Sequence, residues 1–166
     1  YFPRLIVPLS VLVSNLIKFT VQFSIFILVW IYYLSTSDTL HPVWSLMWIL
    51  PLLVLMMAGL GFGFGILISS LTTKYRDLTF LIGFGVQLLM YASSVVLPIS
   101  SMSPKVQFIM LLNPLTSIIE SFKYVFLGSG FYEPFWLLYS AGIMIVLIAI
   151  SVIAFSKVEK SFMDTV

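Results

Sequence analysis

The sequence predicts an all-α integral membrane protein: about four transmembrane helices, with a re-entrant or interfacial helical hairpin between the last two. Three observations carry this prediction. Hydrophobic residues fill 61% of the 166 positions and charged residues only 8%, where a soluble domain carries roughly 25% charged residues. Apolar runs of about 20 residues, enough to cross a bilayer, recur along the whole length. The six acids, Asp38, Asp77, Glu120, Glu133, Glu159 and Asp164, mostly fall at the ends of those runs or between them.

The first span is expected at about 9–34, ending in the polar stretch Ser35-Thr36-Ser37-Asp38. The second, about 43–71, has Pro42 at its start, where a missing N–H costs nothing. Pro51 lies inside it and should kink it, because proline removes one hydrogen bond and clashes with the preceding turn. The third is expected at about 78–97, with Asp77 as N-cap and Pro98 as its stop. The fourth, about 135–155, is opened by Glu133-Pro134 and followed by a tail at 156–166. The whole chain, 1–166, reads as one transmembrane domain.

The stretch 99–134 is apolar but broken by Ser103-Pro104 and Asn113-Pro114, each an N-cap followed by proline at the first helical position. The piece between the two prolines is too short to span. After Pro114, the residues Leu115, Ile118, Ile119, Phe122 and Phe126 share one helical face, while Thr116, Ser117, Glu120 and Lys123 fall elsewhere. Gly128 ends the helix. Two short helices dipping into the outer half of the membrane and returning fit this pattern.

Loop charge sets the orientation. With the N-terminus cytoplasmic, that side carries Arg4, Lys74, Arg76, Lys157 and Lys160, and the other side only Lys105 and Lys123. Both ends of the sequence are then cytoplasmic. Lys18 falls inside the first span near its cytoplasmic end, where a lysine can snorkel to the surface; a place on a substrate path is the alternative. The first residue is Tyr1, not Met, and Tyr1-Phe2-Pro3-Arg4 does not read as a secretion signal, so the sequence is expected to belong to a longer protein.

Few residues promise chemistry. There is no cysteine, and the single His41 cannot build a metal site alone, so no metal is expected. The net charge of +2 comes without a basic cluster, which argues against nucleic acid. Without a G-x-x-x-x-G-K-[ST] run the chain should not bind ATP through a P-loop, and no catalytic constellation stands out. Glu120 and Lys123, three apart on one helix, are expected to pair with each other. Gly59 with Gly63, and Gly61 with Gly65, form two small-xxx-small faces that allow close helix contact; Gly83 and Gly85 read the same way. Aromatic residues make up 16% of the chain. Trp30, Tyr32, Tyr33, Trp44 and Trp48 fit an aromatic belt at the outer lipid headgroups. Phe62, Phe64 and Tyr91 are candidates for lining a sugar path by stacking on pyranose rings.

Several local patterns together resemble the permease subunit of polysaccharide-export ABC transporters, the type that exports O-antigen, capsule or teichoic acid. Tyr1-Phe2-Pro3-Arg4 with Pro8 is similar to the cytoplasmic approach to that family's third span. Tyr75-Arg76-Asp77 resembles its next cytoplasmic turn. Asn113-Pro114-Leu115-Thr116, with Glu120 and Lys123, resembles its outer re-entrant segment. Glu159-Lys160-Ser161-Phe162-Met163-Asp164 is similar to its E-x-x-F-x-D ending. Lys18 departs from the family, which often has an acid there, and Lys123 stands where arginine is common.

The resemblance implies a six-span permease of the bacterial cytoplasmic (inner) membrane, here without its interfacial helix and first two spans. It would pair as a homodimer and move a lipid-linked glycan. Such a permease is not itself an enzyme: ATP and Mg would act in a separate ATP-binding cassette subunit. That subunit would be contacted through Tyr1, Phe2, Pro3, Arg4, Lys74, Arg76 and Asp77. Asn113, Pro114, Glu120 and Lys123 would belong to an outer hairpin acting as a lid. The rivals are a permease of the same architecture for drugs or small lipids, a membrane-embedded transferase of glycan assembly, and a passive channel.

Overall fold

The computed structural model describes residues 6–37, 40–74, 77–95 and 99–163. Among them lie six α-helices: α1 (Ile6–Thr36), α2 (Leu50–Lys74), α3 (Leu78–Tyr91), α4 (Pro104–Leu111), α5 (Pro114–Leu127) and α6 (Pro134–Met163). Short 3-10 helices at Trp44–Ile49 and Ile99–Ser101 precede α2 and α4. Three stretches are long and apolar enough to cross a membrane: Pro8–Thr36, Trp44–Thr72 and Pro134–Lys157. They coincide with the first, second and fourth expected spans.

α2 is the hub of the bundle. Ile49, Leu53, Met56 and Leu60 form one buried face along it, and Ile118 and Val125 of α5 and Leu137 of α6 pack into the same cluster. Apolar burial adds little in a bilayer, where lipid is as apolar as leucine, so close backbone approach and interhelical hydrogen bonds carry helix association. The Gly59–Gly63 face supplies both against α6. A methyl group on Gly59 would overlap the Met144 sulfur, and one on Gly63 would meet Leu147 at 3.0 Å. Beside them Ser151 Oγ donates to the Gly63 carbonyl at 2.7 Å. The Gly61–Gly65 face is different: nothing stands within 4 Å of a Cβ at either position, so only one of the two expected packing faces is packed.

Pro51 does not kink a continuous α-helix. The chain runs as a 3-10 helix to Ile49 and turns α-helical at Leu50, so Pro51 is the second residue of α2, where it has no i−4 helical partner to lose. The belt also needs one correction. Tyr32, Tyr33, Trp44 and Trp48 are exposed as a belt requires, but Trp30 is buried. Its indole N–H donates to the Phe126 carbonyl at 2.9 Å, fastening α1 to α5.

The third expected span is shorter than 78–97. α3 stops at Tyr91, before a turn through Ala92–Ser94 in which Ser94 has φ 54°. At 1.5 Å per residue its fourteen residues reach about 21 Å, well under the ~30 Å hydrocarbon thickness. Pro98, the expected stop, lies outside the described residues. The helix ends early because side chains of α5 take up the carbonyls that another helical turn would have used.

Candidate functional site

Two N-cap–proline junctions open the outer hairpin, as the sequence implies. Ser103 and Asn113 are both extended residues before a helix with proline in its first turn. They differ in what caps them. Ser103 makes no side-chain cap bond, whereas Asn113 Oδ1 accepts from the Leu115 N–H at 3.1 Å. At the other end of α5, Gly128 adopts φ 69°, and a side chain there would run into the His41 carbonyl. The strand-like segment before α2 lies against this end, with Val43 N–H donating to Val125 O at 3.0 Å. Glycine is required on both counts.

α5 turns its polar side inward. Thr116, Ser117, Glu120 and Ser121 are buried, along with Ile118, Val125 and Phe126. Four side chains of this face and its cap tie down the end of α3. Asn113 Nδ2 and Thr116 Oγ1 both donate to the Ala92 carbonyl, at 3.2 and 3.4 Å. Lys123 Nζ donates to the Ser94 carbonyl at 2.6 Å. Ser94 Oγ donates to Glu120 Oε1 at 2.8 Å. Glu120 is the hub. The same Oε1 lies 2.9 Å from Lys123 Nζ, the expected ion pair, and Oε2 accepts the Phe131 N–H at 3.2 Å. The carboxylate is 1% exposed and meets charged, hydroxyl and backbone donors together, which is what a buried charge requires. A second link reaches α6, where Ser117 and Ser140 hydroxyls stand 2.6 Å apart. Among the described residues no buried side-chain nitrogen or oxygen lacks a partner.

Irregular backbone and charge at membrane depth survive only where protein or a water-filled cavity satisfies them. The expectation from sequence was a water-accessible cavity around Glu120. The structure corrects it: protein satisfies Glu120 on every side.

Between α1 and α2 lies an open, mostly apolar groove of about 730 Å³. Pro8, Leu12, Asn15 and Phe19 line it from α1, and Gly61, Phe62, Gly65 and Ser69 from α2, with Phe122 of α5 at one side. Its floor is the glycine face that packs against nothing. Phe62 is the one sugar-path candidate that lines it; Phe64 is half-exposed on another face and Tyr91 is exposed at the end of α3, so the three are not assembled into a path. Tyr1, Phe2, Pro3, Arg4 and Arg76 lie outside the described residues. Lys74 ends α2 and Asp77 stands before α3, without a side-chain cap bond. His41 serves through its backbone, as neighbour to Gly128.

Reading the sequence missed Ala92 and Ser94, the residues through which α5 holds α3. The signal was a serine pair, Ser93-Ser94, at the end of an apolar run. It also missed Ser140 and Asn15, single polar residues on otherwise apolar helices.

Comparison with known proteins adds a family. The family model for the ABC-2 type transporter matches residues 1–127. Two proteins of Klebsiella pneumoniae, both O-antigen export system permease protein RfbA, are 27% and 25% identical to this chain over 164 residues. Each alignment covers 98% of this chain and 61% of the relative. The chain therefore spans about three-fifths of the length of the curated relatives it matches.

Proposed function

The chain belongs to the ABC-2 type transporter family and is a multi-pass membrane permease, and from that premise we propose that it forms the transmembrane part of an ATP-driven exporter of lipid-linked polysaccharide. The observation that carries the substrate class is the similarity to two O-antigen export permeases along 98% of the chain. In this reading the permease lies in the bacterial cytoplasmic membrane with both ends of the described sequence cytoplasmic, and acts as a homodimer. ATP and Mg are bound in a separate ATP-binding cassette subunit, which docks on the segments 1–4 and 74–77.

The outer hairpin is the lid of the path in this reading. A lid at membrane depth must carry its own polar partners, because lipid offers none, and α5 does so through Glu120, Lys123, Ser117 and Asn113. Hydrolysis in the partner subunits would move the helices and lift the hairpin from the path.

The test is made in cells whose permease gene is deleted and then restored. Deletion should leave lipid-linked polymer on the cytoplasmic face, and the restored gene should return it to the surface. Unchanged surface glycan in the deleted strain, with altered efflux of a drug or small lipid instead, would replace this reading with that of a small-molecule exporter.

A further inference from the structure

α3 is held in an unusual way. Along its length only Leu78 and Ile82 are even half-buried, and no residue is buried. Its outer end, by contrast, is fixed to α5 by the four side chains of Asn113, Thr116, Glu120 and Lys123, acting on Ala92 and Ser94. Its inner end begins directly after the turn at 74–77. A short, straight helix that is free along its sides and fastened at one end transmits displacement along its axis.

We propose that α3 is a coupling rod: it links the turn at 74–77 to the outer hairpin, with the Glu120–Lys123–Ser94 cluster as a joint that stays closed while both move. This rests on the reading of the chain as an ATP-driven permease docked at that turn. The joint stays closed because opening it would leave a carboxylate with 1% exposure stripped of its cation and its hydroxyl donor in a medium without water. Ser94 supports the same conclusion. A serine at φ 54° holds a backbone conformation that non-glycine residues rarely adopt, and here it lets the Oγ reach Glu120 while the carbonyl faces Lys123. Glu120 and Lys123 are thus positioning residues, acting on the hairpin through α3.

The experiment uses the full-length permease assembled with its ATPase subunit, which needs no removal of native cysteines from this chain because it has none. Spin labels at Val95 and Ser129 report the joint, and labels at Tyr33 and Ser129 report movement of the hairpin against α1. On passing from the nucleotide-free to the ATP-trapped state, the 33–129 distance should change while the 95–129 distance stays constant within about 2 Å, the scale of ordinary helix shifts. In Glu120→Gln, and independently in Lys123→Met, the 95–129 distribution should broaden. ATP hydrolysis should continue while polymer export per ATP falls at least tenfold. Lys123→Arg, which keeps the cation, should restore both distance and export.

A 95–129 distance that changes with nucleotide in the wild type overturns the rod, as does a hairpin that never moves against α1. Equal loss of hydrolysis and export in all three variants would reduce the cluster to a structural role and also overturn it. Failure of the parent reading looks different: the wild-type assembly would hydrolyse ATP without exporting any polysaccharide.

Discussion

α3 and α5 are both fourteen residues long, and they are built on opposite plans. α3 is apolar throughout and buries none of its side chains. α5 buries seven, and four of those, Thr116, Ser117, Glu120 and Ser121, are polar. In water the arrangement would be reversed, with apolar residues inside and charges outside. In lipid the costly groups are the polar ones, so these are the groups that protein must enclose. The difference teaches that in this chain polarity, not hydrophobicity, marks the inside of the outer half.

The comparison can be broken most sharply at Glu120. Glu120→Ala should destabilise the purified protein by about 3–5 kcal/mol, because it leaves the Lys123 ammonium beside Ser94 without its carboxylate in a buried site; denaturation in mild detergent would measure it. Next in size is a charge placed on the other helix. Phe84 is exposed in the middle of α3, so Phe84→Asp should cost about 2.5–3.5 kcal/mol of membrane insertion, read as glycosylation-tagged insertion efficiency. An acid is thus tolerated on the inner face of α5 and rejected on the outer face of α3. Asn113→Ala should cost about 0.5–2 kcal/mol through loss of the cap on Leu115, with a smaller loss of anchoring at Ala92. Phe84→Leu should change stability by no more than about 0.5 kcal/mol, as expected where a side chain touches only solvent or lipid. A large loss from Phe84→Leu would show that α3 has a protein partner on that side.

Much of this was legible in the sequence, and for physical reasons. Long apolar runs declare spanning helices, and proline after Ser103, Asn113 and Glu133 marks where α4, α5 and α6 begin. Gly128 was readable as a helix end because few other residues accept its backbone angle. What stayed hidden depends on contacts distant in sequence. The end of α3 is set by Asn113, Thr116 and Lys123, which lie 21 to 29 residues further on, and nothing between Leu78 and Pro98 announces them. Trp30 looked like its neighbours in the belt until its indole was seen to face Phe126, 96 residues away. The two glycine faces of α2 have the same spacing; only the position of α6 decides that Gly59 and Gly63 are covered while Gly61 and Gly65 line a groove.

The inward polarity of α5 is the claim on which the joint, the lid and the contrast with α3 all depend, and thiol accessibility in intact cells tests it most directly. Single cysteines replace Ser121, buried on the polar face, and Ser129, exposed just beyond Gly128. An impermeant thiol reagent applied from outside should modify the cysteine at 129 readily and leave the one at 121 unmodified until the protein is denatured. Modification of both at similar rates would show that the polar face lines open water, and would contradict the enclosed cluster described above.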